Sequence, residues 1–475
     1  MKNKPFIKLY RSPRGFYFYD VNRDTIVGIN ERIYDYLSEN CPYEVLGEED
    51  KEYVEHLLEK GYLSDKRISE IKHEQTDEIE EILSSRCQQL ILQVTQLCNL
   101  VCSYCPYANK TDNVLQRNHE NKHMSWEVAK KAIDFFAEHS SAYDSPSISF
   151  YGGEPLIEFE LLKKCVEYSE ELFLGKNLSF FMTTNATLMS DEIIDFLAEH
   201  DFKLLISIDG PASIHDINRK RSDGTGSFAS AFEALKKAYK RYGDNAANGL
   251  EINMVLAPDN DIDEAFSLFD DEFFRNNSVG ISSSVADDEY LEYKLEYPNE
   301  FIAKYNYYFF LAFLKTMKLV EGIDIPAFYN QSMFILKRNY LRYKRGMNSL
   351  PDIGCPGGPC VPGHSKFFVN VYGDMFPCER VSEISKCMKI GSIYNGFDYD
   401  AIKKQMNVSQ QTADKCRECY AQLHCSLCQG YSDGGDELVS EKRAANCKRS
   451  CSRFDSILKT CILFKETKTH YTWRP

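Results

Sequence analysis

The chain has 475 residues, 43% of them hydrophobic and 27% charged, and its 71 acidic residues against 56 basic ones give a formal net charge of −15. That length implies two or three domains, and the composition excludes a wholly disordered chain. The acidic balance argues against a nucleic-acid partner, the longest apolar run (307–314) is far too short to span a membrane, and residues 1–10 lack a signal-peptide core, so a cytoplasmic protein with no membrane partner is expected.

Residues 6–10 and 15–19 read as strands around a Ser12-Pro13-Arg14-Gly15 turn, with a third strand at 25–29. Asn30 is placed to cap a helix carrying Ile33, Tyr34 and Leu37, and a second helix over 48–60 stops at Gly61. These elements make a small winged-helix-like unit over residues 1–80, with 69–81 a charged helical linker. Glu48, Glu49, Asp50, Glu52 and Glu55 make the second helix a poor reader of DNA grooves.

From about Cys87 the pattern changes. Strands are predicted at 90–94, 147–150, 178–183, 203–208 and 250–256, separated by helices at 126–138, 161–172, 190–199 and 227–241. Such alternation predicts an α/β unit with a parallel sheet, as a full or partial barrel. Residues 299–341 read as helical and aromatic-rich, and beyond Gly354 the pattern dissolves into Cys, Gly and Pro turns.

Seventeen cysteines are unusual for a chain expected in a reducing compartment, where metal or cluster ligation is favoured over disulfides. Three fall in Cys98-x3-Cys102-x2-Cys105, directly after the first predicted barrel strand, and eleven lie between 355 and 461. Three thiolates on one loop hold three irons of a cubane and leave the fourth open to substrate or cofactor. A zinc knuckle completed by a distant histidine is the bland alternative.

The three-cysteine loop, with Tyr104 before its last cysteine, resembles radical S-adenosylmethionine (SAM) enzymes. Gly152-Gly153-Glu154-Pro155, Thr183-Thr184-Asn185, Ser207-Ile208-Asp209-Gly210-Pro211 and Asn218-Arg219 follow in the order found in the peptide-modifying branch. The resemblance implies a partial (β/α)6 barrel. Cys98, Cys102 and Cys105 would hold a [4Fe-4S] cluster. Tyr104, Gly152, Gly153, Glu154, Pro155, Thr184, Asn185, Ser207, Asp209, Arg219 and Leu256 would surround S-adenosylmethionine.

Further on, Cys355-x4-Cys360, Gly373-x4-Cys378 and Cys416-x2-Cys419-x5-Cys425-x2-Cys428 precede Cys447, Cys451 and Cys461. This resembles the SPASM domain, although the last interval is two residues where the family has three. The resemblance implies two auxiliary [4Fe-4S] clusters, three clusters in all. Cys355, Cys360, Cys378 and Cys428 would hold the first; Cys416, Cys419, Cys425 and either Cys447 or Cys451 would hold the second. Cys461 reads as a core thiol, Cys41, Cys87 and Cys165 as structural, and Cys387 as spare. Zinc ribbons are the alternative for this region.

The combined resemblance implies a maturase of ribosomally made peptides. Residues 1–80 would recognise a leader segment through the strand edge at 25–29 and pockets between Tyr17, Tyr19, Ile26, Ile33 and Leu37. Residues 81–310 would be the barrel, 311–349 a helical bridge and 350–475 the SPASM iron–sulfur domain. The run from Asp374 to Arg380 resembles maturases that form thioethers in Cys-rich precursor peptides. The reductant would be of flavodoxin or ferredoxin type, and Glu379 is a candidate catalytic acid or base. Formylglycine-forming sulfatase maturation, carbon–carbon crosslinking or epimerisation, and a non-enzymatic zinc-ribbon adaptor are the alternatives.

Overall fold

Period-2 aromatic patterning in the first strands produces a sheet buried on both faces. β1 (Ile7–Ser12), β2 (Gly15–Asp20) and β3 (Thr25–Ile29) form an antiparallel meander. One face, through Phe18, meets α1 (Glu31–Leu37) and α2 (Glu48–Glu59) in a small core with Ile33, Leu37, Val54 and Leu57. The other face sends Tyr10, Tyr17 and Tyr19 into the main core of the protein. Asn30 caps α1 by accepting the Ile33 N–H at 3.0 Å. The computed structural model describes residues 4–108, 115–323, 325, 329–347, 349–357 and 360–470.

The stretch expected as a helical linker is instead split. β4 (Glu70–Ile71) pairs with a strand near residue 353, and α3 (Ile79–Ser85) begins only afterwards. β5 (Gln89–Thr95), α4 (Trp126–His139), β6 (Ser147–Gly152), α5 (Phe159–Leu172), β7 (Ser179–Thr184), α6 (Asp191–Glu199) and β8 (Lys203–Ser207) follow. Then come α7 (Ala212–Asn218), α8 (Phe228–Tyr242), α9 (Ala246–Gly249), β9 (Leu250–Leu256), α10 (Ile262–Phe266), α11 (Glu272–Asn276) and β10 (Gly280–Val285). The six strands from β5 to β10 are parallel and sequential neighbours, the order of an open six-unit barrel. β10 is a sixth strand the sequence reading missed; its Gly-Ile-Ser-Ser-Ser-Val sequence is only half apolar.

α12 (Asn299–Thr316) and α13 (Tyr329–Arg345) pack on each other. The expected divisions after residues 80 and 310 cut through α3 and α12, because each helix is continuous there. β11 (Ile353–Gly354) completes the pair with β4. β12 (Phe367–Val369) then adds, parallel, to the free edge of β5, and β13 (Asp374–Phe376), β14 (Gly391–Ser392) and β15 (Gly396–Phe397) extend the sheet antiparallel to ten strands. α14 (Tyr399–Met406), α15 (Ala413–Arg417) and α16 (Ser440–His470) complete the fold. Among the described residues no helix is long and apolar enough to cross a membrane.

Candidate functional site

The site is assembled where β5 to β8 end, because parallel strands point every following loop to one mouth. After β5 the chain turns at Thr95–Leu97 into the cysteine loop. After β6 it must pass directly over that turn. Gly152, at φ +141°, and Gly153 permit this: a Cβ on either would lie 2.0 Å from the carbonyl oxygen of Thr95 or Leu97. The close approach is fastened by Gly153 N–H to Thr95 O and Glu154 N–H to Leu97 O, both 2.9 Å. On its other side the loop is braced by Val101 N–H to Lys220 O and Ser103 N–H to Asn218 O.

Cys98, Cys102, Cys105, Gly152, Gly153, Glu154, Thr184, Asn185, Ser207 and Arg219 line one cavity. Tyr104, Pro155, Asp209 and Leu256 do not line it. Asp209 is instead the centre of a buried network. It accepts Arg219 Nε at 2.9 Å and the Val255 N–H at 2.9 Å, and it bonds the Tyr104 hydroxyl. Burial opposes charge on Arg219, but Asp209, Tyr104 and Cys102 together outweigh it and hold the guanidinium more firmly protonated than usual. Asp209 and Tyr104 therefore orient Arg219, whose guanidinium reaches the wall of the cavity. Leu256 is a fully buried core residue.

Glu154 shares its carboxylate among Thr184 Oγ1 at 2.7 Å, the Asn185 N–H at 2.8 Å and the Leu156 N–H at 3.2 Å. Burial nevertheless raises its pKa. Asn185 reaches Asn99 Oδ1 at 2.8 Å, tying the β7 exit to the cysteine loop. Burial pushes the Cys98 and Cys105 thiols up to about 12. They are protonated at neutral pH unless a cation draws the protons off, so metal loading here releases protons.

His119, Tyr107 and Tyr151 are among the cavity neighbours missed in the sequence. His119 Nε2 lies 3.6 Å from Cys105 Sγ, and its Nδ1 lies 3.1 Å from Gln96 O. Tyr107 and Tyr151 complete the wall toward the C-terminal region, and the Tyr107 hydroxyl donates to Glu379 O at 3.2 Å. Behind them Arg117 stacks 4.1 Å over Tyr107 and pairs, almost wholly buried, with Glu383. His119 follows a polar stretch without periodicity, so no pattern marks it.

The C-terminal cysteines fall into two neighbourhoods. Cys360 and Cys378 are both electrostatic neighbours of Cys428. Cys416, Cys425 and Cys447 are mutual neighbours, and Cys419 Sγ lies 3.8 Å from Cys451 Sγ. Cys355 differs from its expected grouping: its thiol meets Ser409 Oγ at 3.1 Å, and its cysteine neighbours are Cys416 and Cys425. Cys461 is fully buried among core residues, as expected. Glu379 does not stand free: Lys366 Nζ holds both its oxygens at 2.8 and 3.0 Å. Among the described residues no three potential ligands are gathered closely enough to hold a single ion.

Arg443 on α16 was also missed. It is 2% exposed, and Nη1 donates to the carbonyls of Leu427 and Cys428. It has no carboxylate in contact among the described residues, and it is an electrostatic neighbour of Cys355, Cys416, Cys428 and Cys447. A buried guanidinium without an anion is costly, and thiolates at those four positions would compensate it. The donor set therefore fits anionic iron–sulfur ligation.

Behind a parallel six-strand array with three cysteines after its first strand, residues 92–270 match the radical SAM superfamily. An uncharacterized protein of Methanocaldococcus jannaschii is 39% identical over 152 residues, 32% of this chain and 48% of that protein. The serine-type anaerobic sulfatase-maturating enzyme of Bacteroides thetaiotaomicron is 30% identical over 189 residues, 39% of this chain and 42% of that enzyme. The chain thus spans less than half the length of these relatives. The solved structure of native anSMEcpe with bound AdoMet has the same fold, with a TM-score of 0.54 and 19% identity over 79% of this chain and 99% of that one.

Proposed function

We propose that the chain is a radical SAM maturase with SPASM-type auxiliary clusters that forms sulfur-to-carbon thioether links in a Cys-rich precursor peptide. Arg443, buried without a carboxylate between the two groups of cysteines, is the observation that carries the auxiliary clusters. Cys98, Cys102 and Cys105 would hold the first [4Fe-4S] cluster. Glu154, Thr184, Asn185, Ser207 and Arg219 would face S-adenosylmethionine, Arg219 offering its positive charge to a carboxylate and Glu154 its negative charge to an ammonium. Bound together, these groups supply a carbon-centred 5′-deoxyadenosyl radical that takes a hydrogen atom from an unactivated carbon.

In the thioether product an S–H and a C–H bond break and an S–C bond forms, so the peptide would lose one hydrogen atom to the 5′-deoxyadenosyl radical, leaving 5′-deoxyadenosine, and one proton and one electron, the electron going to an auxiliary cluster. Cys378 packs with Tyr151 and precedes Glu379, whose carbonyl accepts the Tyr107 hydroxyl, so a cluster held by Cys360, Cys378 and Cys428 would be the one next to that wall and would take the electron. Glu379, paired with Lys366, is better suited to placing that loop than to taking a proton. A precursor peptide would be caught by the groove of about 510 Å³ bounded by Arg14, Tyr17, Gly28, Asp50 and Tyr53, at the open end of β3.

Formylglycine formation is the second reading, favoured by the 30% identity to a sulfatase-maturating enzyme. The groove beside the N-terminal three-stranded sheet, suited to an extended peptide, favours the precursor-peptide reading. The deciding experiment incubates anaerobically reconstituted protein with Cys-rich peptides and reads them by mass spectrometry. Loss of two hydrogens with a blocked thiol supports the thioether; conversion of Cys to an aldehyde supports the second reading. In the combined Cys98→Ala, Cys102→Ala, Cys105→Ala variant 5′-deoxyadenosine should disappear; if it persists, the radical assignment fails.

A further inference from the structure

α13 differs from the rest of this acidic chain. Its seventeen residues, YNQSMFILKRNYLRYKR, carry five basic side chains and no acidic one. Lys337, Arg338, Lys344 and Arg345 are exposed and form no ion pair among the described residues, whereas Arg342 is engaged by Asp24 at 2.8 Å. Between these cations lie Phe334, Ile335 and Leu341, which are 65%, 39% and 52% exposed. The result is a strip on which exposed apolar and positive side chains are interleaved, on a protein of net charge −15.

The opposite side of the same helix leads toward the second cysteine group. Tyr343 is buried, with its ring 5.5 Å from the His424 ring and 6.4 Å from that of Phe454. His424 stacks on Phe454 at 4.4 Å and immediately precedes Cys425. α13 also packs along α16, which carries Cys447 and Cys451. From the charged face the path to this group of thiols runs through Tyr343, His424 and Phe454.

Resting on the iron–sulfur reading above, we infer that the exposed face of α13 docks a small acidic one-electron carrier, which exchanges electrons with the cluster at Cys416, Cys419, Cys425 and Cys447 or Cys451. In the reductive direction one electron leaves the carrier, which is oxidised, and enters the cluster, which is reduced; no bond or proton changes. Charge complementarity selects this occupant. A single helix face suits the small, transient interfaces of electron-transfer encounters. Unpaired exposed cations steer an acidic partner and make its association salt-dependent. The strip is narrow, because Met333, Leu336 and Tyr343 are buried in the core, and this favours a protein contact over insertion into a lipid surface.

The test uses anaerobically reconstituted full-length protein, with flavodoxin as the acidic probe. Binding is measured at low and high ionic strength, and S-adenosylmethionine cleavage is driven in parallel by reduced flavodoxin and by dithionite. In the Arg338→Glu/Arg345→Glu variant, flavodoxin affinity at low salt should fall at least tenfold and lose most of its salt dependence. Flavodoxin-driven cleavage should fall with it, while dithionite-driven cleavage stays at the wild-type rate. The milder Arg338→Gln/Arg345→Gln variant should fall between the two. Unchanged flavodoxin affinity overturns the proposal. So does a matching loss of dithionite-driven cleavage, or binding of phosphatidylserine vesicles through these residues with flavodoxin unaffected. If the wild type binds flavodoxin through these residues yet never cleaves S-adenosylmethionine, the docking surface stands and the radical reading fails.

Discussion

At Gly153 the tolerance for a single methyl group is set by backbone, not by a movable side chain. A Cβ there meets Leu97 O at 2.0 Å and Leu97 C at 2.3 Å, so Gly153→Ala must push the β6 exit away from the cysteine loop. Iron at Cys98, Cys102 and Cys105 should be lost and S-adenosylmethionine cleavage should fall at least tenfold, with secondary structure by circular dichroism unchanged. Arg443 makes the converse case, in which a charge rather than a void is required. Replacing one partner of a buried charged set costs about 3–5 kcal/mol. Arg443→Gln should therefore release auxiliary iron, from about twelve irons per chain toward about four if three cubanes are present. Iron and sulfide analysis checks this; retention of all the iron would show that the guanidinium serves only the Leu427 and Cys428 carbonyls.

At the scale of elements, the β2–β3 hairpin and the segment after α2 are joined through Asp20. Its carboxylate accepts the Leu63 N–H at 2.8 Å and the Arg23 N–H at 3.0 Å. Burial pushes its pKa up to about 6 from the model-peptide value of 3.8. The folded state then binds more protons than the unfolded state between those values, so this unit gains stability as pH falls from 7 to 5, by about 1 kcal/mol. Hydrogen exchange at the Leu63 amide, corrected for intrinsic rate, should show slower opening at pH 5 than at pH 7. The helices and strands of the barrel were legible because each keeps one strong period. α4, for example, buries Ala129, Ala132, Ile133 and Phe136, and Ser125 caps it. β10 was not legible because its half-exposed serines keep no period. The cysteine loop and the Gly152–Gly153 turn were legible from spacing. The bracing by Asp209, the approach of His119 to Cys105 and the placement of Arg443 were not, since each depends on contacts between residues distant in sequence.

Across the whole molecule, the N-terminal unit is less separable than its sequence suggests. Tyr19, expected to line a peptide pocket, is fully buried; its hydroxyl donates to Asp24 at 2.7 Å and its ring meets Phe454 at 5.3 Å. Asp24 also accepts His424 Nε2 at 2.8 Å. The start of β3 is covered, with Thr25 Oγ1 bonded to Tyr343 O, so only the Gly28–Ile29 end faces the groove. Removing residues 1–80 should therefore expose the aromatic contacts of α16, lower the melting temperature and reduce auxiliary iron. Tyr53→Ala, at the groove, should weaken peptide binding severalfold and leave iron content and melting temperature alone. Equal iron in the truncated and intact proteins would show that the two parts are independent.

α16 joins regions that are far apart along the chain. It spans 31 residues, about 47 Å at helical rise. Near its start Arg443 enters the cysteine groups, and near its end Glu466 accepts the Tyr17 hydroxyl at 2.8 Å. In translation order, everything α16 touches leaves the ribosome before it does. The barrel, built from neighbouring strands, has its partners at hand during synthesis, whereas the N-terminal sheet waits for this helix to supply Asp455 to Tyr10, Glu466 to Tyr17 and Phe454 to Tyr19. Assembly should thus proceed in two stages, with the second dependent on late sequence. Ribosome-arrested chains ending before residue 440 would keep a protease-sensitive N-terminal sheet beside a protected barrel.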